Sequence, residues 1–208
     1  MSEVRVVRGG SPGWLADTAA VLARGGLVAF PTDTVYGIGA AALNPIAVAH
    51  IYRAKGRRED QPIPVLVADR VGIERLAVGV PPGVYRLADV FWPGPLTLVV
   101  PKRAGLPPEV SSGPTVGLRA PNHPIALEIL HAAGPLATSS ANRSTRPPTT
   151  LPEEVRAELG GHLDLLVDGG PAPGGIPSTV LDCTVDPPRI LRAGPVSLED
   201  ILSVWGKA

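Results

Sequence analysis

The chain has 208 residues, enough for one large domain or two small ones. Its 19 basic and 19 acidic residues cancel, which argues against non-specific nucleic-acid or membrane binding, since both need a field of one sign. A single cysteine rules out an internal disulfide and a cysteine-rich metal site, and no run approaches the ~18 apolar residues of a membrane-spanning helix. The first residues, Met1-Ser2-Glu3-Val4-Arg5, lack a charged segment followed by an apolar one, so a cytoplasmic protein with no membrane contact is expected.

Aromatic residues make up only 4% of the chain, so the core must be built from Ala, Val, Leu and Ile. Val4 to Val7 reads as an edge strand. Pro12 to Arg24 reads as a helix, with Leu15, Ala19 and Leu22 on one face and Gly25-Gly26 as its stop. Leu27 to Phe30 is a buried strand that should end or bulge at Pro31, which has no N–H to give. A polar turn, Thr32-Asp33-Thr34, follows, and then a second apolar run in which Gly37 and Gly39 allow close backbone approach. Asn44-Pro45 supplies the cap and first residue of a helix running to about Lys55, stopped by Gly56.

A charged loop, Arg57 to Pro62, leads into a strand from Pro64 to Ala68. Short helices are expected over Ile73 to Ala77 and Gly83 to Phe91. Trp92-Pro93-Gly94-Pro95 connects tightly into a strand from Leu96 to Val100. Thr115 to Arg119 is a further strand, Pro121-Asn122-His123-Pro124 opens a helix to Ala133, and Pro135 to Thr138 is a strand running into Ser139-Ser140-Ala141-Asn142. Thr150 with Glu153 resembles a capping box for a helix to about Leu159. Leu163 to Val167, Thr179 to Cys183 and Arg189 to Leu191 are strands, the last two antiparallel. Ser197 with Asp200 starts a closing helix to Trp205. No linker or internal repeat divides the chain. The expectation is one α/β domain over residues 1–208, a twisted mixed sheet of parallel and antiparallel strands flanked by helices.

Two glycine patterns point away from nucleotide-binding loops. Gly37-x-Gly39-x-x-Ala42 fits a loose dinucleotide pattern, but the next helix starts at Pro45 and no acidic residue ends a following strand. Gly169-Gly170 and Gly174-Gly175 lack the Gly-Lys-Ser/Thr of a P-loop. Any phosphate would therefore meet side-chain cations. Lys55-Gly56-Arg57 supplies two, both leaving a helix end where they can point at one polyanion or simply satisfy the helix dipole in solvent. Thr115 and Arg119 share a strand face, where Arg119 calls for either an anionic ligand or an acidic side chain. Ser140 has no partner spaced for a hydrolase triad, and Cys183 sits in an apolar run as a small hydrophobe. The four histidines do not cluster, so no protein metal site is assigned.

The ordered set Pro31-Thr32-Asp33-Thr34-Val35-Tyr36-Gly37, Lys55-Gly56-Arg57, Phe91 to Thr97, Gly117 to Pro121, Ser140-Ala141-Asn142, Ser178-Thr179-Val180 and Leu191-Arg192-Ala193-Gly194 resembles the YrdC/Sua5 family. That family comprises L-threonylcarbamoyladenylate synthases, and the length matches its short single-domain form. The resemblance implies a YrdC/RibB-like fold with a deep basic ligand cavity. It also implies a nucleotidyltransferase that joins L-threonine, bicarbonate or CO2, and ATP into threonylcarbamoyl-AMP, releasing pyrophosphate.

By the same resemblance, threonine is held by Thr34, Arg119, the backbone near Thr138, and Ser178. ATP is held by Lys55, Arg57, Gln61, Thr115, Ser140, Asn142 and Arg192, with Lys55 and Arg57 as catalytic cations exposed in the pocket. Mg2+ would arrive with ATP as the only cofactor. Downstream partners would be the proteins that transfer the product to adenosine 37 of tRNA, with RNA contact a possible addition. A non-catalytic RNA-binding module of the same fold is the alternative; steep salt dependence of RNA binding without ATP binding would mark it. The chain departs from the family pattern in three places. Leu66 and Val67 stand where many relatives have a histidine, Arg143-Ser144-Thr145 replaces Leu-Ser-Gly, and Pro148 replaces a serine.

Overall fold

In a computed structural model, residues 4–206 are described. The N-terminal reading at Met1 to Glu3 and the last two positions of the expected domain lie outside them. The backbone of the sheet comes from ten strands: β1 (Val6–Arg8), β2 (Val28–Pro31), β3 (Tyr36–Ala41), β4 (Val65–Leu66), β5 (Leu96–Pro101), β6 (Thr115–Arg119), β7 (Leu136–Ser140), β8 (Leu165–Asp168), β9 (Thr179–Asp182) and β10 (Arg189–Arg192). They form one sheet in the order β1-β8-β2-β3-β7-β4-β6-β5-β9-β10. The ladders β1/β8, β2/β8, β4/β6 and β5/β9 are parallel. The ladders β2/β3, β3/β7, β4/β7, β5/β6 and β9/β10 are antiparallel. The mixed sheet expected from the sequence is therefore the architecture found.

Helices α1 (Trp14–Ala23), α2 (Pro45–Lys55), α3 (Val71–Leu76), α4 (Pro82–Phe91), α5 (Pro124–Ala133), α6 (Pro152–Leu159) and α7 (Leu198–Trp205) flank it. Successive strand residues point to opposite faces, so a strand buried on both sides feeds two cores. In β2, Val28 and Phe30 join one cluster with Trp14 and Leu22 of α1 and Ile129 of α5, while Ala29 joins the larger cluster. β8 divides in the same way, with Leu165 and Val167 on one side and Leu166 on the other. This explains why these strands read as unbroken apolar runs.

Local chemistry sets the ends that matter for the site. Asn44 caps α2 by accepting the Ala47 N–H at 3.2 Å, and Gly56 stops the helix in the left-handed region at φ 59°. Ser197 caps α7 by accepting the Asp200 N–H. Two expectations shift. The strand from Pro64 to Ala68 contracts to Val65–Leu66, because Pro64 has no N–H for the ladder and contributes only its carbonyl, which accepts from the Thr138 N–H at 2.9 Å. At α6 no side chain of the capping residue, Leu151, makes the cap, so the Thr150–Glu153 box does not form. Instead Thr149 accepts the Leu151 N–H at 3.1 Å and bonds Glu154.

Candidate active site

The turn between β2 and β3 is built by Thr32. Its hydroxyl donates to the Val35 carbonyl at 2.7 Å and accepts from the Thr34 and Val35 N–H groups. Thr32 and Thr34 share a hydroxyl–hydroxyl bond of 3.0 Å, and the Thr32 proton already goes to Val35, so Thr34 is the donor there. The Thr34 oxygen then accepts from Arg119 Nη1 at 3.1 Å. Ordinary turn bonding and a poised site thus coexist, divided between neighbouring residues.

Arg119 ends β6 with a side chain only 7% exposed. Its Nε donates to the Gly94 carbonyl at 3.0 Å and its Nη2 to Asp33 Oδ1 at 2.5 Å. Asp33 is held from a second side by the Asn122 N–H at 3.0 Å. Burial lowers the pKa of Arg119, the charge and hydrogen bond of Asp33 oppose that shift, and the nearby Arg192 charge adds to it. The acidic partner that the sequence left open for Arg119 is therefore Asp33. Three of the five guanidinium N–H groups have partners, which leaves one on each terminal nitrogen.

Arg119 opens on a cleft of about 160 Å3. Its walls come from the β2–β3 turn, the start of β3, the end of β7, β5, the Pro177-Ser178 segment before β9 and the end of β10. Gly37 admits the wall closely: a Cβ there would stand 2.8 Å from Thr138 Cγ2. In the same cleft Ser178 shares a 2.9 Å hydroxyl bond with Thr97 and accepts from Arg192 Nη2 at 3.1 Å. Arg192 also donates to the Ser178 carbonyl from Nε and Nη2, at 3.1 and 2.8 Å. Arg57 is held by the Gln61 and Pro62 carbonyls at 3.4 and 3.1 Å. Burial lowers the pKa of both, and Arg57 lowers that of Arg192 further, so the two cations feel one another. Among the described residues neither has a carboxylate partner.

Of the eleven site residues read from the sequence, Thr34, Arg57, Arg119, Thr138, Ser140, Ser178 and Arg192 line this cleft. Lys55, Gln61, Thr115 and Asn142 do not. Lys55 is 3% exposed, not the open pocket cation expected; its Nζ donates to the Asn142 carbonyl at 2.6 Å and to the Ser140 carbonyl. Burial first, and Arg57 second, push its pKa down to about 8, against the pull of Glu158. Asn142 donates to the Arg143 and Arg146 carbonyls at 2.8 and 2.6 Å and so shapes the loop beyond β7; its buried Oδ1 has no partner. Gln61 is exposed in its loop, and its carbonyl accepts from Tyr52 and Arg57. Thr115 shares the face of Arg119 but stands at the other end of β6, roughly 13 Å away by strand rise.

Sequence reasoning reads Asp33 only as part of the polar turn and assigns no role to Thr97. Thr97 could have been noticed as the lone hydroxyl between Leu96 and Leu98, both fully buried. Of the departures from the family pattern, Leu66 and Pro148 both line the cleft as apolar wall, while the Arg143 N–H donates to Glu158 at 3.0 Å.

Comparison with known proteins identifies the family. The Sua5/YciO/YrdC family pattern, described as telomere recombination, matches residues 20–194. The chain belongs to the Sua5/YciO/YrdC family. A Mycobacterium tuberculosis relative is 46% identical over 183 residues, covering 88% of this chain and 84% of its own length. The threonylcarbamoyl-AMP synthase of Bacillus subtilis is 45% identical over 195 residues, 92% of this chain and 56% of that enzyme. Pyrococcus abyssi Sua5, solved in complex with L-threonine, superposes with a TM-score of 0.93 at 41% identity, over 99% of this chain and 61% of that one. The chain thus spans little more than half the length of these last two family members.

Proposed function

We propose that this chain is an L-threonylcarbamoyladenylate synthase, a cytoplasmic nucleotidyltransferase serving tRNA modification. The observation that carries the reading is one cleft lined by an ion-paired arginine and by two arginines without carboxylate partners, in a member of this family. The amine of L-threonine takes up CO2, or bicarbonate with loss of water, to give N-carboxythreonine. Its new carboxylate attacks the α-phosphorus of ATP, the bond to the β-phosphate oxygen breaks, and pyrophosphate leaves.

Arg119 offers its two remaining N–H groups to the amino-acid carboxylate, a match for two parallel donors. Thr34 has spent its proton on Thr32 and can only accept from a ligand. Arg57 and Arg192 hold phosphate oxygens and the charge that builds on the transferred group, and Ser140 and Ser178 line the same cleft. Lys55 stands behind the wall and fixes the Ser140–Asn142 backbone. The protein's work is positioning and electrostatics more than covalent chemistry. Among the described residues that line the cleft there is no carboxylate, so Mg2+ would come bound to ATP oxygens. The product would pass to proteins that transfer it to tRNA.

Purified protein incubated with ATP, L-threonine and bicarbonate tests the reading. Pyrophosphate release that depends on threonine is expected. Folded protein that releases none overturns it.

A further inference from the structure

Three arginines face one cleft, and only one of them has a carboxylate partner. Arg57 and Arg192 are held by neutral carbonyls and a hydroxyl, so their charges stay uncompensated and attract anions. Arg119 is bound to Asp33 at 2.5 Å in a pair whose side chains are 7% and 12% exposed. The Asn122 N–H holds the same Asp33 oxygen at 3.0 Å. Arg57 and Arg192 therefore bring a net charge of two to the cleft, whereas Arg119 and Asp33 bring a neutral pair that still offers directed N–H donors.

These are different binding surfaces. A polyanion gains most from uncompensated charge, and beside Asp33 it meets a like charge in a region of low dielectric. A zwitterionic amino acid loses little there, since its own charges sum to zero and its carboxylate needs only two donors. The distinction matters because the cleft would hold phosphate groups and release pyrophosphate within reach of the amino acid.

We propose that Asp33 is a specificity-determining residue: by cancelling the charge of Arg119 it reserves that arginine for the amino acid and turns phosphate away toward Arg57 and Arg192. The inference rests on the synthase reading and adds to it a reason for the carboxylate beside the amino-acid arginine. A purely structural ion pair would hold the turn in place but would not sort anions.

The test is calorimetric titration of L-threonine into the protein at rising inorganic phosphate, with ionic strength held constant by chloride. Wild type is expected to keep its threonine affinity within about twofold at phosphate concentrations that displace ATP. Asp33→Asn, similar in shape but neutral, is expected to lose about tenfold or more of its apparent threonine affinity at the same phosphate, with ATP affinity retained. Asp33→Glu, which keeps the charge, should restore the wild-type pattern. Phosphate that displaces threonine from wild type overturns the inference alone, and that measurement stands even if Asp33→Asn fails to fold. An Asp33→Asn protein as resistant to phosphate as wild type also overturns it. Wild type that binds no L-threonine overturns the synthase reading and this inference with it.

Discussion

In the cleft Arg119 is nearly buried and ion-paired to Asp33, whereas Arg57 is half-buried and Arg192 exposed, both held by backbone carbonyls and, for Arg192, one hydroxyl. Each arrangement follows from where the residue sits. Arg119 closes a strand inside the sheet, where an unpaired charge would be costly, so a carboxylate accompanies it. Arg57 follows the stop of α2, and Arg192 ends the edge strand β10, where water shares the work of solvation. The same residue type is thus part of the fold in one setting and chiefly part of the binding surface in the other.

If that contrast is right, effects on unfolding free energy should fall in a definite order. Arg119→Ala should cost the most, about 3 kcal/mol, because it strands the Asp33 carboxylate in a buried position. Threonine-dependent turnover should vanish with it, and urea unfolding beside the pyrophosphate assay reads both. Lys55→Ala should cost about 2 kcal/mol, since two carbonyls of the β7 exit lose their donor. Equal stability of Lys55→Ala and wild type would show that Lys55 belongs with the open cations after all.

A smaller effect comes from pH. The Lys55 pKa is about 8 in the fold against 10.5 ordinarily. Between those values the unfolded chain binds the proton that the folded chain has released, so stability rises with pH through this window. Measured against Lys55→Met, wild type should gain about 1 kcal/mol from pH 8 to pH 9. The smallest change in stability, within about 0.5 kcal/mol, is expected for Arg57→Ala. That variant should nevertheless raise the KM for ATP at least about tenfold and leave threonine affinity nearly unchanged.

Much of this molecule is legible in its amino-acid sequence. Strand and helix positions follow from apolar periodicity and from caps such as Asn44 and Ser197, because those signals are local. Seven of the eleven site residues meet in one cleft, each in or beside one of the ordered motifs, although Lys55 and Asn142 lie in those motifs too and do not line it. What sequence does not show is depth. Lys55 and Arg57 are two residues apart and read alike, yet Gly56 sends one under the end of β7 and leaves the other at the cleft. Thr115 and Arg119 share a face by period two, but the distance along the strand keeps Thr115 out. Asp33 pairs with a residue 86 positions away, and nothing local in the turn announces it.

The division between the paired and the unpaired arginines is tested most directly by the salt dependence of both ligands on the unmodified protein. Calorimetric affinities for ATP, at fixed free Mg2+, and for L-threonine would be measured as KCl rises from about 50 to about 500 mM, a range over which exposed charges are strongly screened. ATP affinity is expected to fall at least about tenfold while threonine affinity stays within about twofold. Two affinities that fall together would contradict the account, because both ligands would then bind through the same uncompensated charge.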